Sequence, residues 1–112
     1  MIRLFIAIAF AAGSCSAPAD QSGPSDAAIW TVAQTDIKAK LRDPGSAEFS
    51  ELHTIRRDGK ALGTCGKVNS KNGFGGMSGP TRFIAGGDIS AVEGDGTMDQ
   101  KNFNEAWSMM CL

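Results

Sequence analysis

The sequence predicts an α+β domain with an N-terminal helix, a small, mostly antiparallel sheet of three or four strands, and a C-terminal helix held by one disulfide. Three observations predict this fold class. Apolar residues recur at helical spacing near both ends of residues 26–112, an Asp-Gly pair separates two strand-like segments, and two cysteines lie in the C-terminal half. Residues 26–112 are therefore assigned to a single small domain, whose hydrophobic core is marginal without a covalent link.

The first 14 residues have the layout of a secretory signal peptide. Arg3 precedes an apolar run that is shorter than a membrane span of about 20 residues, and small residues follow. The segment before Cys15 resembles a bacterial lipobox, so we predict a leader of residues 1–14 and acylation of Cys15. Cleavage by an ordinary signal peptidase, after a residue such as Ala17, is the alternative.

Residues 15–25 are rich in Pro, Gly, Ser and Ala, a composition that predicts a flexible tether. The leader and tether together predict an exported protein of the bacterial cell envelope. Because Ser16 and not an aspartate follows Cys15, we expect an outer-membrane lipoprotein that faces the periplasm. A soluble periplasmic protein is the alternative.

Cys65 and Cys111 form an even pair once Cys15 is acylated or removed. In an oxidising compartment such a pair is expected to form a disulfide. A bridge across 46 residues contributes about 4 kcal/mol in the chain-entropy treatment. A metal pair and a nucleophilic thiol assisted by His53, the only histidine, are the alternatives; no metal and no cofactor are predicted.

Capping residues and apolar stripes define the two helices. Ser25 can cap the first helix, which should end before Pro44 and which carries the stripe Trp30, Ala33, Ile37 and Leu41. Thr97 or Asp99 can cap the last helix, where Phe103, Trp107 and Cys111 recur at every fourth residue. The second stripe places Cys111 on the apolar face of the last helix, which is expected to pack against the sheet.

Asp58-Gly59 predicts a two-residue hairpin turn between the first two strands. Pairing of Arg57 with Lys60 sets a register in which His53 opposes Thr64. The same register gives one shared apolar face, composed of Phe49, Ile55, Leu62 and Val68.

Cys65 lies on the opposite face in this register. The disulfide then requires either a β-bulge, which Gly63 or Gly66 would tolerate, or a sheet that is partly covered on both faces. Two further strands are predicted at residues 81–85 and 89–92.

The segment Cys65–Gly79 combines a strand with a long loop that is rich in glycine and asparagine. Asn69 and Asn72 can hydrogen-bond the loop backbone, and Phe74 is expected to pack onto the core. The same loop is the candidate recognition surface, with residues Asn69, Lys71, Asn72, Phe74, Gly75 and Gly76. Its glycine spacing matches neither a Walker A loop nor a dinucleotide-binding loop.

Four motifs, LRDPGSAEF, CGKVNSKNGFGG, the pair Arg82-Phe83 and the terminal Trp107-x-x-x-Cys111, resemble a family of small proteobacterial and prophage proteins. Members of that family are secreted or lipid-anchored, and Met77 stands where their pattern has an aromatic residue. The resemblance implies a shared fold and pairing of Cys65 with Cys111, and it implies no reaction.

Charge placement favours a non-enzymatic interaction module, and the predicted acylation of Cys15 would attach this module to the membrane. A candidate basic patch, which could meet an envelope protein or an anionic envelope polymer, comprises Arg56, Arg57, Lys60 and Lys67. The net charge of −1 argues against nucleic-acid binding.

Three alternatives to this function stay open. They are a small envelope enzyme that uses His53 or Cys65, a prophage-linked inhibitor or exclusion factor, and a calcium loop at Glu93, Asp95, Thr97 and Asp99.

Overall fold

The computed structural model describes residues 23–112, so the predicted leader, Cys15 and most of the predicted tether lie outside the described residues. Two α-helices and four strands follow in the order α1 (Asp26–Lys38), β1 (Glu48–Arg57), β2 (Lys60–Asn69), β3 (Thr81–Gly86), β4 (Ile89–Val92) and α2 (Gln100–Met110), with a short 3₁₀ helix at Pro44–Ser46 between α1 and β1. The strands form one antiparallel sheet in sequence order. The predicted α+β class is confirmed, with a helix at each end of the sheet region and a Cys65–Cys111 disulfide.

The sheet has a hydrophobic cluster on each of its two faces. The cluster on the α1 face contains Ala33, Ile37, Val68, Phe83, Ala85 and Val92, and the cluster on the α2 face contains Ile55, Cys65, Ile84, Ala91, Phe103 and Cys111. Because side chains alternate along a strand, neighbours such as Phe83 and Ile84 enter different clusters. The sequence allowed the disulfide to form through a β-bulge or through a sheet that is covered on both faces. The structure has a sheet with both faces covered.

Helix α1 begins as predicted and ends earlier. The Ser25 hydroxyl accepts a hydrogen bond from the Ala28 N–H, whereas the last helical residue is Lys38, well before Pro44. The chain leaves the helix through tight turns in which the Lys40 N–H bonds to the Ile37 carbonyl. Leu41 still packs against the α1-face cluster, but it does so from this turn.

The predicted hairpin register is correct at both ends of the β1–β2 pair and wrong in the middle. Phe49 pairs with Val68 and Arg57 with Lys60, but His53 pairs with Cys65 instead of Thr64. One irregularity lies between Ser50 and His53, and a second lies between Ile55 and Arg56. The two bulges shift the register in opposite directions, so the pairing between them is offset by one residue.

This offset corrects the predicted apolar face. Ile55 belongs to the α2-face cluster, whereas Phe49 and Val68 belong to the α1 face, and Leu62 is largely exposed. A one-residue shift moves side chains to the other face because the side-chain period of a strand is two. The bulge that the sequence allowed near Gly63 or Gly66 is therefore also present.

Helix α2 closes the second face. The Asp99 carboxylate accepts a hydrogen bond from the Asn102 N–H at 2.7 Å, so Asp99 is the cap. Phe103 is buried, and Cys111 follows directly after the helix with its Cα 5.9 Å from that of Cys65. The disulfide thus joins the end of α2 to the second strand of the sheet.

Candidate functional site

The loop between β2 and β3, residues 70–79, is held by its own hydrogen bonds and is here called the 70–79 loop. The Asn72 side-chain oxygen accepts hydrogen bonds from the N–H groups of Phe74 at 2.9 Å and Gly76 at 3.3 Å. The Asn69 side-chain oxygen accepts one from the Gly79 N–H at 3.0 Å. These bonds give both asparagines the backbone-supporting role that their residue type allows.

Backbone bonds complete the loop. The Asn72 N–H donates to the Gly76 carbonyl at 2.8 Å, and the Ser78 N–H donates to the Ser70 carbonyl at 2.8 Å. Gly75 has a φ of 83°, a conformation that favours glycine over any side-chain-bearing residue. The loop is therefore a defined turn with a bridge between Lys71 and Met77 at its base.

Phe74 lies at the tip of this loop with its side chain fully exposed, and the prediction that it packs onto the core is wrong. The physical reason is that the loop closes through Asn72 and through backbone bonds, so no apolar plug is required. Met77 is also partly exposed near the base of the loop. Aromatic side chains, phenylalanine among them, are enriched at the cores of protein–protein interfaces.

Arg42 packs against the 70–79 loop, a contact that sequence reasoning missed. A Cβ atom at Gly73 would lie 3.2 Å from the Arg42 guanidinium, which shows how closely this cation approaches the loop backbone. Lys71 is exposed on the loop. No spacing in the sequence signals the Arg42 contact, because the chain reaches it through the turns after α1.

The 70–79 loop and the start of α1 lie at opposite ends of the β1–β2 pair. Asp26, the first residue of α1, contacts Arg56 and Thr54 near the hairpin turn. The loop follows Asn69, which pairs with Glu48 at the other end. Since β1 has ten residues and a strand rises about 3.3 Å per residue, roughly 30 Å separates the two ends.

The four residues of the predicted basic patch do not share one surface. Arg56 forms an ion pair with Asp26, and Arg57 donates to the Met109 carbonyl at 2.8 Å near the end of α2. Lys60 is exposed at the hairpin turn, whereas Lys67, which pairs with Glu51 at 2.8 Å, lies towards the other end of β2. The patch is thus divided between both faces and both ends of the hairpin.

The Asp26 carboxylate links α1 to β1. It accepts hydrogen bonds from the Thr54 hydroxyl and from Arg56, and these two contacts hold the pKa of Asp26 below its ordinary value. The Thr54 hydroxyl also accepts a hydrogen bond from the Trp30 indole N–H at 3.1 Å. Together, the contacts of Asp26 and Trp30 with β1 hold the start of α1 on the sheet.

A pocket of about 240 Å³ lies on the α2 face at the first bulge and is here called the bulge pocket. It is lined by Glu51, His53, Gly66, Lys67 and Trp107. Glu51 has a φ of 51°, a left-handed conformation that is unusual for a glutamate and that accompanies the bulge. The enzyme alternative would use this pocket, but the Cys65 sulfur is bonded to Cys111 and is not a thiolate in this state.

The acidic turn after β4 does not gather its carboxylates around one point. Glu93 pairs with Arg82, and Asp99 caps α2. Asp95 accepts hydrogen bonds from the N–H groups of Val92 and Thr97. The side chains suggested as calcium ligands thus have structural partners.

The pKa values of the two partly buried carboxylates in this turn are lowered. For Glu93, the hydrogen bonds from Arg82 dominate over a smaller opposing effect of burial. For Asp95, burial is the largest single influence and raises the pKa, but the N–H donors of Thr97 and Val92, with Lys40, together outweigh it. Both groups therefore stabilise the fold in their charged form.

Arg82 joins this turn to α2. Its guanidinium lies 5.2 Å from the centre of the Phe103 ring and 5.1 Å from that of Trp107, while it also pairs with Glu93. Such cation–π contacts add to the packing of an aromatic face. In the sequence Arg82 is only part of a motif, because its contacts with Phe103, Trp107 and Glu93 depend on how β3 and α2 pack together.

No helix in residues 23–112 has the length and apolar character needed to cross a membrane. In comparisons with known proteins, no protein-family model, no curated protein and no solved structure matches this chain. The resemblance drawn from the motifs therefore stays a prediction.

Proposed function

We propose that this protein is a non-enzymatic binding module of the bacterial cell envelope, anchored by a lipid on Cys15, that recognises a partner through the 70–79 loop. The observation that carries the proposal is the fully exposed Phe74 on a loop whose backbone is internally hydrogen-bonded. The partner it fits is an envelope protein with an apolar pocket bordered by acidic groups.

The order of the loop supports this role. A loop that must be ordered on binding loses part of its interaction free energy to conformational entropy. Asn72 and Asn69 already hold the 70–79 loop, so Phe74 would be presented to a partner at little further entropic cost. Burial of one phenylalanine side chain contributes about 1.5–3 kcal/mol to binding.

The charges near the tip indicate the chemistry of the partner. Arg42 lies against Gly73, and Lys71 is exposed on the same loop. Positive groups around an apolar anchor favour a pocket with acidic residues at its rim and accelerate association at low salt. The bridging contacts of Arg56 and Arg57 make the hairpin cations less suitable for such a role.

The position of the loop also supports the proposal. A lipid on Cys15 would hold the domain from the N-terminal side, where Asp26 begins α1 beside the hairpin turn. The 70–79 loop lies at the other end of the hairpin. Phe74 would thus lie at the end of the domain that is farther from the point where the tether joins α1.

Photo-crosslinking tests the proposal directly. A photoreactive phenylalanine analogue is placed at position 74 in the acylated protein, expressed in its native host, and irradiated in intact cells. We expect one discrete crosslinked protein. The same analogue at Met109, which is 71% exposed on α2, is the matched control and should not yield that product.

Two loop variants distinguish specific recognition from non-specific hydrophobic binding. Phe74→Ser should weaken binding of the purified partner at least tenfold without lowering the melting temperature, because the side chain contacts no core residue. Asn72→Ala should weaken binding through loss of loop order. Crosslinks of equal intensity from positions 74 and 109, or unchanged affinity of Phe74→Ser, would contradict the proposal.

The anchor is tested separately. Metabolic labelling with a radioactive fatty acid should label the protein, and Cys15→Ala should abolish the label and release the protein into the soluble periplasmic fraction. A label that persists in Cys15→Ala would contradict lipidation at that residue and would leave the loop experiment unaffected.

A further inference from the structure

Three metal-ligating side chains from three different elements converge beside the bulge pocket, which one of them, His53, lines. The His53 ring nitrogen and the sulfurs of Cys65 and Cys111 all lie within 4.8 Å of one another. His53 comes from β1, Cys65 from β2, and Cys111 from the end of α2. The two sulfurs are close because they are bonded to each other. The offset register adds the histidine, because it places His53 directly opposite Cys65.

The three residues differ in their access to solvent. Cys65 is fully buried and Cys111 is 8% exposed. His53 is partly exposed and lines the bulge pocket together with Glu51 and Trp107. An ion could therefore reach the ligands through the pocket. The Glu51 carboxylate lies at the same opening, paired with Lys67.

We propose that the reduced form of this protein binds one Zn²⁺ ion through Cys65, Cys111 and His53. A dithiol reductant would first transfer two electrons and two protons to the disulfide, which breaks the S–S bond, gives two Cys thiols and oxidises the reductant to its own disulfide. Zn²⁺ would then displace the two thiol protons, which pass to solvent, and form bonds with two thiolates and the neutral imidazole. Sulfur and imidazole nitrogen are the ligands that zinc prefers.

The required movements are small. Zn–S bonds of about 2.3 Å and Zn–N bonds of about 2.0 Å in tetrahedral geometry separate the ligand atoms by about 3.6–3.8 Å. The two sulfurs must part once the S–S bond is broken, and the histidine nitrogen, which lies within 4.8 Å of both, must approach by no more than about 1 Å. The fourth position would face the bulge pocket, where a water molecule or Glu51 could occupy it.

The other contacts of α2 would help to keep the ligands together after reduction. Phe103 is buried in the α2-face cluster, and Arg82 lies over both Phe103 and Trp107. These contacts do not depend on the disulfide. The bulge pocket and the 70–79 loop use different residues, so a metal site there is independent of the proposed binding role.

Cobalt titration tests the site. The full chain is reduced with a dithiol, the reductant is removed without oxygen, and Co²⁺ is added as a spectroscopic substitute for Zn²⁺. We expect a thiolate-to-cobalt charge-transfer band and tetrahedral d–d bands that saturate at one equivalent and disappear when Zn²⁺ is added. The oxidised protein, treated in the same way, should show neither band.

Variants and a folding measurement make the outcome decisive. His53→Ala should weaken Co²⁺ binding at least tenfold, and Cys111→Ser should abolish the two-thiolate spectrum. Zn²⁺ should also raise the melting temperature of the reduced chain and preserve its native circular dichroism spectrum. Absence of the bands, an unchanged affinity in His53→Ala, or binding only by a chain that stays unfolded would each overturn the proposal.

Discussion

Glu51 shows at the residue scale how one unusual backbone conformation positions a site. Its left-handed φ of 51° adds a residue to β1 opposite Gly66 and turns the carboxylate towards Lys67. Such a conformation costs about 1–3 kcal/mol for a residue other than glycine. That strain is offset by the packing it permits, because it places Leu52 on the α1 face and His53 opposite Cys65.

Asn72 and Phe74 show what residue type alone predicts in a loop. The affinity of asparagine for nearby backbone N–H groups was predicted and is confirmed by the contacts of Asn72. The packing of Phe74 was predicted from its apolar character and is wrong. Apolar character says that burial is favourable, but not whether the chain can bring the ring to the core.

Glu93→Gln tests the charged network around Arg82. The folded-state pKa of Glu93 lies below its ordinary value of 4.5, so its ionised form contributes stability above about pH 4.5 that is lost as pH falls through the folded pKa. The variant should lower the free energy of unfolding by about 1 kcal/mol at pH 7. Urea unfolding at pH 7, 5, 4 and 3 should show this difference shrinking at acid pH.

Glu105→Gln, on the exposed surface of α2, is the matched control for this experiment. It should leave the unfolding free energy unchanged within about 0.5 kcal/mol. A constant difference between Glu93→Gln and the parent protein from pH 7 to pH 3 would contradict the proposed ionic contribution.

The β1–β2 pair shows at the element scale how two opposite bulges preserve a register. The turn at Asp58-Gly59, with φ values of 52° and 75°, fixes the pairing of Arg57 with Lys60. The shift at Leu62 is reversed near Glu51, so Phe49 again opposes Val68. Both ends of the hairpin therefore keep the register that the two-residue turn sets. In the middle, the one-residue offset turns Cys65 and His53 towards α2, where the disulfide forms.

A Cβ atom added at Gly63 would meet backbone atoms of β3, whereas a Cβ atom added at Gly66 would meet only side chains. A Cβ at Gly63 would lie 2.5 Å from the Ala85 carbonyl oxygen and 2.7 Å from the Gly86 Cα, so β2 and β3 would have to move apart. A Cβ at Gly66 would lie 2.7 Å from the end of the Leu52 side chain and 3.0 Å from the Phe83 ring. Side chains can adjust more easily than a paired backbone.

We therefore predict that Gly66→Ala lowers the free energy of unfolding by about 1–3 kcal/mol and that Gly63→Ala lowers it by more. Urea unfolding followed by circular dichroism measures both variants under identical conditions. Equal losses, or a larger loss for Gly66→Ala, would show that the close approach of β2 to β3 does not limit this part of the sheet.

At the scale of the whole molecule, residues 23–112 form three layers: α1, the sheet and α2. Two clusters share the apolar residues of a small domain, so each cluster is itself small. The disulfide ties the outer layer α2 to a central strand at Cys65. The disulfide therefore helps to hold α2 on the sheet, because the small α2-face cluster buries only a limited apolar area.

Replacement of both cysteines by alanine tests this dependence. Cys65→Ala with Cys111→Ala should lower the free energy of unfolding by about 4 kcal/mol, because the unfolded chain regains the freedom of a 46-residue loop. Hydrogen exchange should show earlier loss of protection in α2 than in α1, whose start is held by Asp26, Arg56 and Thr54. Equal loss of protection in both helices would contradict a local role for the disulfide.

The sequence by itself determined the elements and the covalent link. Short-range rules identified the cap at Ser25, the turn at Asp58-Gly59 and the strand Ile89–Val92, since each depends on adjacent residues. The pairing of Cys65 with Cys111 followed from their number and the expected compartment. These features can be predicted without knowing which distant segments of the chain contact each other.

Only the tertiary structure decided the faces of the sheet and the surroundings of the candidate sites. The convergence of His53 with the two cysteines depends on a one-residue offset between two bulges, which long-range packing selects. The approach of Arg42 to Gly73 and the exposure of Phe74 depend on where α1 ends and how the loop closes. Local propensity cannot fix these features, because their free energy comes from contacts between segments far apart in the chain.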